Sequence, residues 1–171
     1  MSRYTTSKTY RIVMIACLVA IEIILSRFLS VSMWNMKIGF AFVPVVIAAM
    51  LFGPVAAGIT GAVADFLGAI LFPIGAYFPG FTLTAFLTGM IYGLFIHKSH
   101  AFKNILASIL INQIIFSLLL NTLWISILYG SPYKSLLPVR AVQTVILIVV
   151  QVIIIKLIIK YIPQLKRSVS H

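Results

Sequence analysis

Two arginines, one lysine, two acids and a run of aromatic rings carry the chemistry available to this chain. Arg27, Lys37 and Arg140 stand at or near the ends of long apolar stretches. A guanidinium there is a forked donor that fits a carboxylate, and a lysine is a point charge, so the three suit the rim of a pocket for an anionic solute. Equally, long basic side chains near helix ends reach the lipid headgroups. Glu22 and Asp65 are the only acids, and both fall inside apolar stretches. An acid at bilayer depth costs on the order of 2.5–3.5 kcal/mol, so each is expected to face a protein interior and to hold a partner. For Asp65 two readings stand: acceptor oxygens for the N–H groups of a buried heterocycle, or an ion pair with Arg27 or Arg140 that braces helices. Glu22 is expected to pair with another helix or to be protonated.

From Phe72 to Thr82 the chain reads Phe-Pro-Ile-Gly-Ala-Tyr-Phe-Pro-Gly-Phe-Thr. Proline and glycine break helices, yet here they alternate with Phe72, Tyr77, Phe78 and Phe81. The stretch reads as a rigid aromatic lid over a flat solute, with Pro79 and Thr82 also expected to contact the ligand; an aromatic belt at the lipid interface is the other reading. Asn121 and Trp124 are three apart and share a helix face. An amide and an indole there suit hydrogen bonding to a ligand and stacking on it, or helix packing and interfacial anchoring. Asn112 and Gln113, deeper in the same segment, read as packing residues.

These residues need elements to hold them. Apolar residues make up 62% of the 171 and charged ones 9%, with a mean hydropathy of +1.16. Soluble domains run near 45–50% and about 25%, so an integral membrane protein is expected, a single membrane domain over residues 1–171. No strand-like alternation appears, and lipid forbids open backbone, so the expected fold is all-α. Six spans are placed at about 10–30, 38–52, 54–71, 81–96, 104–128 and 137–161, with Pro44 bending the second or shifting its start. With six spans both termini share one side. Nine Lys and Arg residues fall there (Arg3, Lys8, Arg11, Lys98, Lys103, Lys156, Lys160, Lys166, Arg167) against four opposite (Arg27, Lys37, Lys134, Arg140). The positive-inside rule then makes both termini cytoplasmic and the Phe72–Thr82 loop extracellular.

Several classes drop out. The net charge of +11 is scattered singly between spans, which serves topology and anionic lipid, not nucleic acid. The one cysteine, Cys17, allows no internal disulfide or cysteine cluster. There is no P-loop, no His-Glu-x-x-His and no nucleophile set, and His97, His100 and His171 lie remote from the pocket, so no enzyme, metal or cofactor is expected. Ala16 and Ala20 form a smooth stripe on the first span, for ordinary packing or for docking another subunit.

Five runs carry a family resemblance: Leu25-Ser26-Arg27-Phe28-Leu29-Ser30, Lys37-Ile38-Gly39-Phe40, Met50-Leu51-Phe52-Gly53-Pro54, Asp65-Phe66-Leu67-Gly68, and Phe72-Pro73 with Phe78-Pro79-Gly80-Phe81-Thr82. Over residues 12–95 the chain resembles the folate-specific substrate-binding (S) subunits of energy-coupling factor (ECF) transporters, with weaker support from Trp124, Tyr129-Gly130 and Arg140. Glu22 departs from the family pattern. The resemblance implies an S-component bundle in a bacterial cell membrane that binds folate in an outward-facing pocket. Its partners would be a transmembrane coupling subunit and two ATPase subunits, with Ala16 and Ala20 on the docking surface. Folate fits the residue set: its rings would stack on Phe72, Tyr77, Phe81 or Trp124 and its pterin edge would meet Asp65 or Asn121. Its two carboxylates would meet Arg27, Arg140 and Lys37. The alternatives are another vitamin, such as riboflavin or pantothenate, or an autonomous small carrier or channel.

Overall fold

The computed structural model describes residues 8–33, 36–99 and 101–168. They form six helices: α1 Lys8–Arg27, α2 Phe42–Phe52, α3 Pro54–Leu71, α4 Pro79–Ile96, α5 Phe102–Tyr129 and α6 Tyr133–Ser168. Five are long and apolar enough to cross a membrane; α2 is the short one. The protein is therefore a multi-pass membrane protein built as a helical bundle.

Two features were not anticipated in the expected spans. Between α1 and α2 the backbone makes a small antiparallel hairpin, β1 Val31–Met33 with β2 Met36–Ile38, in the register Val31↔Ile38 and Met33↔Met36. The second helix consequently starts at Phe42, not at residue 38. Pro44 then lies in the first turn, where its missing N–H breaks no helical bond. The hairpin packs against α6, so its backbone pairs with itself in a niche of the bundle, a condition that membrane depth imposes on any irregular segment. The other feature is in α5, which is α-helical to Leu110, winds as a π-helix over Ile111–Leu120, and returns to α at Asn121.

The turn between α2 and α3 is made by Gly53 at φ 88°, with Pro54 opening α3. A positive φ is open to glycine, and proline is favoured at the first helical position. The carbonyls left at the end of α2 find partners from two other helices. His97 brings Nδ1 to 3.1 Å from the Ala49 oxygen and 3.3 Å from that of Met50. Arg11 donates to the Phe52 oxygen at 3.2 Å.

Helices α3 and α4 pack closest. Ala85, Gly89 and Gly93 lie four apart along α4, and this bare stripe lets its backbone meet that of α3. A Cβ on Gly89 would collide with the Ala57 carbonyl, and one on Gly93 with Pro54 Cα. In a membrane, where lipid competes for apolar contact, small residues of this kind permit tight association. The buried core lies at this end of the bundle: Val45, Val46, Ala48, Ala49 and Met50 of α2 meet Leu18, Tyr92, Ile96, Ile105, Ile109 and Ile155.

Candidate ligand-binding site

At the other end, where the connection from α3 to α4 and the 31–38 hairpin lie, the helices enclose a cavity of about 660 Å³. That volume lies in the range of small-molecule sites. Arg27, at the end of α1, is half-buried and lies flat over α3. A Cβ on Gly68 would sit 2.9 Å from its Nε, so glycine there makes room for the guanidinium. Its Nη2 reaches the Asp65 backbone oxygen at 3.5 Å. The Asp65 carboxylate does something else: Oδ2 accepts the Thr82 hydroxyl at 2.8 Å. Thr82 in turn lies 3.2 Å from the Tyr77 hydroxyl. Because the Thr82 proton goes to the carboxylate, Tyr77 is the donor in that second bond. This chain ties the aromatic loop to the body of α3. Replacing Thr82 by valine cuts both bonds and is expected to lower stability by about 1–2 kcal/mol. The check is faster amide hydrogen exchange at residues 74–78 together with a lower melting temperature in detergent; unchanged exchange would refute the tether.

From the opposite wall α6 contributes one stripe into the cavity: Arg140, Gln143, Leu147 and Gln151. Offsets of three, seven and eleven residues stay on one face of a helix, and the stripe descends about 16 Å at ~1.5 Å per residue. Arg140 is 7% exposed, and its Nη2 donates to the Ser117 carbonyl at 3.1 Å. Ser117 lies in the π segment of α5, a winding that is rare and concentrated at functional sites. Gln151, at the foot of the stripe, accepts the Tyr92 hydroxyl at 2.9 Å. Between these walls stand Glu22, Asp65, Ser117 and Asn121, with Ile74, Tyr77, Phe78, Phe81 and Tyr129 toward the loop. The arrangement offers cations, an amide-rich floor and ring faces in one hollow, which suits an elongated solute that is flat over part of its length and anionic elsewhere.

Of the residues expected at the site, Arg27, Asp65, Tyr77, Phe81, Asn121 and Arg140 line the cavity. Phe72, Pro79, Thr82 and Trp124 stand outside the lining, each for a physical reason. Phe72 closes α3 and turns its ring edge-on to Phe28 at 5.2 Å. Pro79 is the first residue of α4. Thr82 is used in the tether. Trp124 donates from Nε1 to Thr84 at 3.0 Å and lies against Phe78 at 5.4 Å, behind the wall. The cavity side of α5 is instead the line Asn121, Ile125, Tyr129, four apart. The Lys37 side chain lies outside the described residues; its backbone pairs opposite Ser32 in the hairpin. Glu22, Ser117, Gln143 and Gln151 were not expected as lining residues. For the two glutamines the signal was present in the sequence as polar positions on one face of an otherwise apolar helix.

Ala16 and Ala20 are exposed on the bundle's outer surface. They lie in an apolar groove of about 590 Å³ between α1 and α3, floored by Val19 and flanked by Ile59, Val63 and Leu67.

Comparison with known proteins agrees with this architecture. The family model described as "ECF transporter, substrate-specific component" matches residues 10–159. The folate transporter FolT of Clostridium novyi (strain NT) is 40% identical over 141 residues, which is 82% of this chain and 82% of that protein. A FolT of Leuconostoc mesenteroides is 37% identical over 86 residues, covering 50% of this chain and 46% of its own. Among solved structures, one of FolT bound with folic acid superposes with a TM-score of 0.81 at 38% identity, covering 85% of this chain and 91% of that one. The S component of a bacterial ECF transporter superposes at 0.64 with 22% identity, over 91% and 99% of the two chains, a likeness of fold. With the family model spanning all six helices, the chain belongs to the substrate-specific components of ECF transporters.

Proposed function

We propose that this chain is the folate-binding subunit of an ATP-driven uptake transporter, with its cavity opening outside the cell and both termini in the cytoplasm. The observation that carries the reading is the cavity itself, in which Arg140 and Gln151 stand about 16 Å apart along α6 while Arg27 reaches in from the facing wall. A molecule with a hydrogen-bonding heterocycle at one end and two carboxylates at the other fits both ends at once. The likeness to FolT proteins, one of them solved with folic acid, supports the same ligand. In this reading Arg27 and Arg140 take the carboxylates, with Lys37 as a further cation at the rim. Tyr77 and Phe81 face the rings, and Asn121 and Asp65 offer an amide and an acceptor to polar edges. Phe72, Pro79, Thr82 and Trp124 act from behind, by holding the loop and the start of α4.

Energy for transport then comes from partners: a transmembrane coupling subunit and two ATPase subunits. The exposed groove at Ala16 and Ala20 is where the coupling subunit docks. Ala16→Trp fills that groove at a lipid-facing position, so it is expected to abolish co-purification with the coupling subunit and folate uptake, with folate affinity within twofold of wild type. A variant that still assembles and transports would sink the docking assignment. Isothermal titration of the purified chain against folate, riboflavin and pantothenate tests the ligand. Tight, selective binding of folate is expected; preference for another vitamin, or uptake by this chain alone in vesicles, would overturn the reading.

A further inference from the structure

We infer that the buried Tyr92–Gln151 pair sets the polarity of the cavity floor, so that Gln151 presents amide N–H donors to an acceptor atom on the heterocyclic end of the ligand. The inference rests on the folate reading above and assigns the two residues roles at the site's deep end.

The geometry begins with Tyr92 on α4, which is 1% exposed. Its hydroxyl donates to Gln151 Oε1 at 2.9 Å, across the bundle to α6. Gln151 is 4% exposed yet lines the cavity. A carboxamide has one acceptor oxygen and one donor NH2 group. With the oxygen held by a buried phenol, the amide is fixed in one sense, and the NH2 group is what remains for the cavity. A floor of this kind accepts a carbonyl oxygen or a ring nitrogen and rejects a donor.

Electrostatics decides which end of the ligand arrives there. Arg140 stands eleven residues, roughly 16 Å, above Gln151 on the same face, and Arg27 lies at the far end of α1. Glu22, also lining the cavity, is five residues or about 7.5 Å deeper than Arg27 along α1. Carboxylates are drawn to the two arginines. The neutral heterocycle therefore goes down to Gln151. Tyr92 touches no ligand in this arrangement; it is a positioning residue that acts through the amide.

Titration of the purified chain with folate and with pteroate, which keeps the pterin but lacks the glutamate, tests the assignment. Gln151→Met, similar in size and without the amide, is expected to weaken both ligands about tenfold, the usual effect of losing one such bond. Tyr92→Phe is expected to weaken both by about threefold to fivefold, because the amide is then free to turn over. The double variant Tyr92→Phe/Gln151→Met replaces both polar partners by apolar ones, which buried sites tolerate well, so it guards against misfolding. It is expected to bind both ligands as weakly as Gln151→Met alone. If the pair is only a helix brace, the double variant binds folate and pteroate like wild type, and the inference is overturned. A wild-type chain that binds no folate overturns the underlying reading instead.

Discussion

Arg140→Ala is expected to weaken folate binding by about 10- to 100-fold while leaving pteroate within about threefold. The range follows from hydrogen bonds to charged groups, each worth ~1.5–3 kcal/mol, in a position that is 7% exposed and so poorly screened. Arg27→Ala acts in the same direction and toward the low end of the range, because Arg27 is only half-buried. Arg140→Lys keeps the charge and loses the fork, and is expected to recover part of the affinity and not all of it. Titration of both ligands against the three variants separates a carboxylate contact from general damage, since damage lowers both affinities together. If Arg140→Ala and Arg27→Ala both bind folate within twofold of wild type, the glutamate tail lies elsewhere.

The second large effect is structural. Gly93→Val should leave little or no folded protein, because the new side chain would have to occupy the position of Pro54 Cα at the start of α3. Ordinary overpacking costs about 1–3 kcal/mol, relieved by shifting side chains. Here the obstacle is backbone at a proline, beside the positive-φ turn at Gly53, and the two helices have to separate. Gly89→Val meets the Ala57 carbonyl in the same way. The expected readout is loss of the monodisperse peak on size exclusion in detergent for both variants. Leu94→Val, one residue further on an exposed face, is the control and should purify like wild type. A well-folded Gly93→Val protein would mean that α3 and α4 are not locked where they cross.

The membrane class and the helical segments were legible in hydropathy, because lipid imposes the same rule on every span. The pocket was legible in part. Arg27, Asp65, Tyr77, Phe81, Asn121 and Arg140 stand out as the polar or aromatic residues that an apolar segment has to justify, and the fold gathers them. Trp124 shows where pattern reasoning stopped. A spacing of three places it beside Asn121, but Thr84 on another helix draws its N–H away, and only tertiary contacts reveal that. The hairpin at Val31–Ile38 is built from strands of only three residues each, too short to give an alternation to count. For Asp65 the two readings were a ligand acceptor and a partner of arginine; the structure adds a third role, with Thr82 as the donor.

The brevity of α2 has a further consequence. Its eleven residues measure roughly 16 Å, about half of a ~30 Å hydrocarbon layer. The blunt start of that rod, Ala41 and Phe42, borders the cavity, so the hollow stands in continuation of a helix that was never completed. The cavity extends from there to Gln151, and the well-packed layer of the bundle lies beneath it. That layer is the plug of Val46, Tyr92, Ile96, Ile109 and Ile155, each at most 1% exposed. The packed thickness beneath the cavity is thus less than the full length of the spanning helices, and that layer's close packing is what separates the cavity from the opposite end of the bundle.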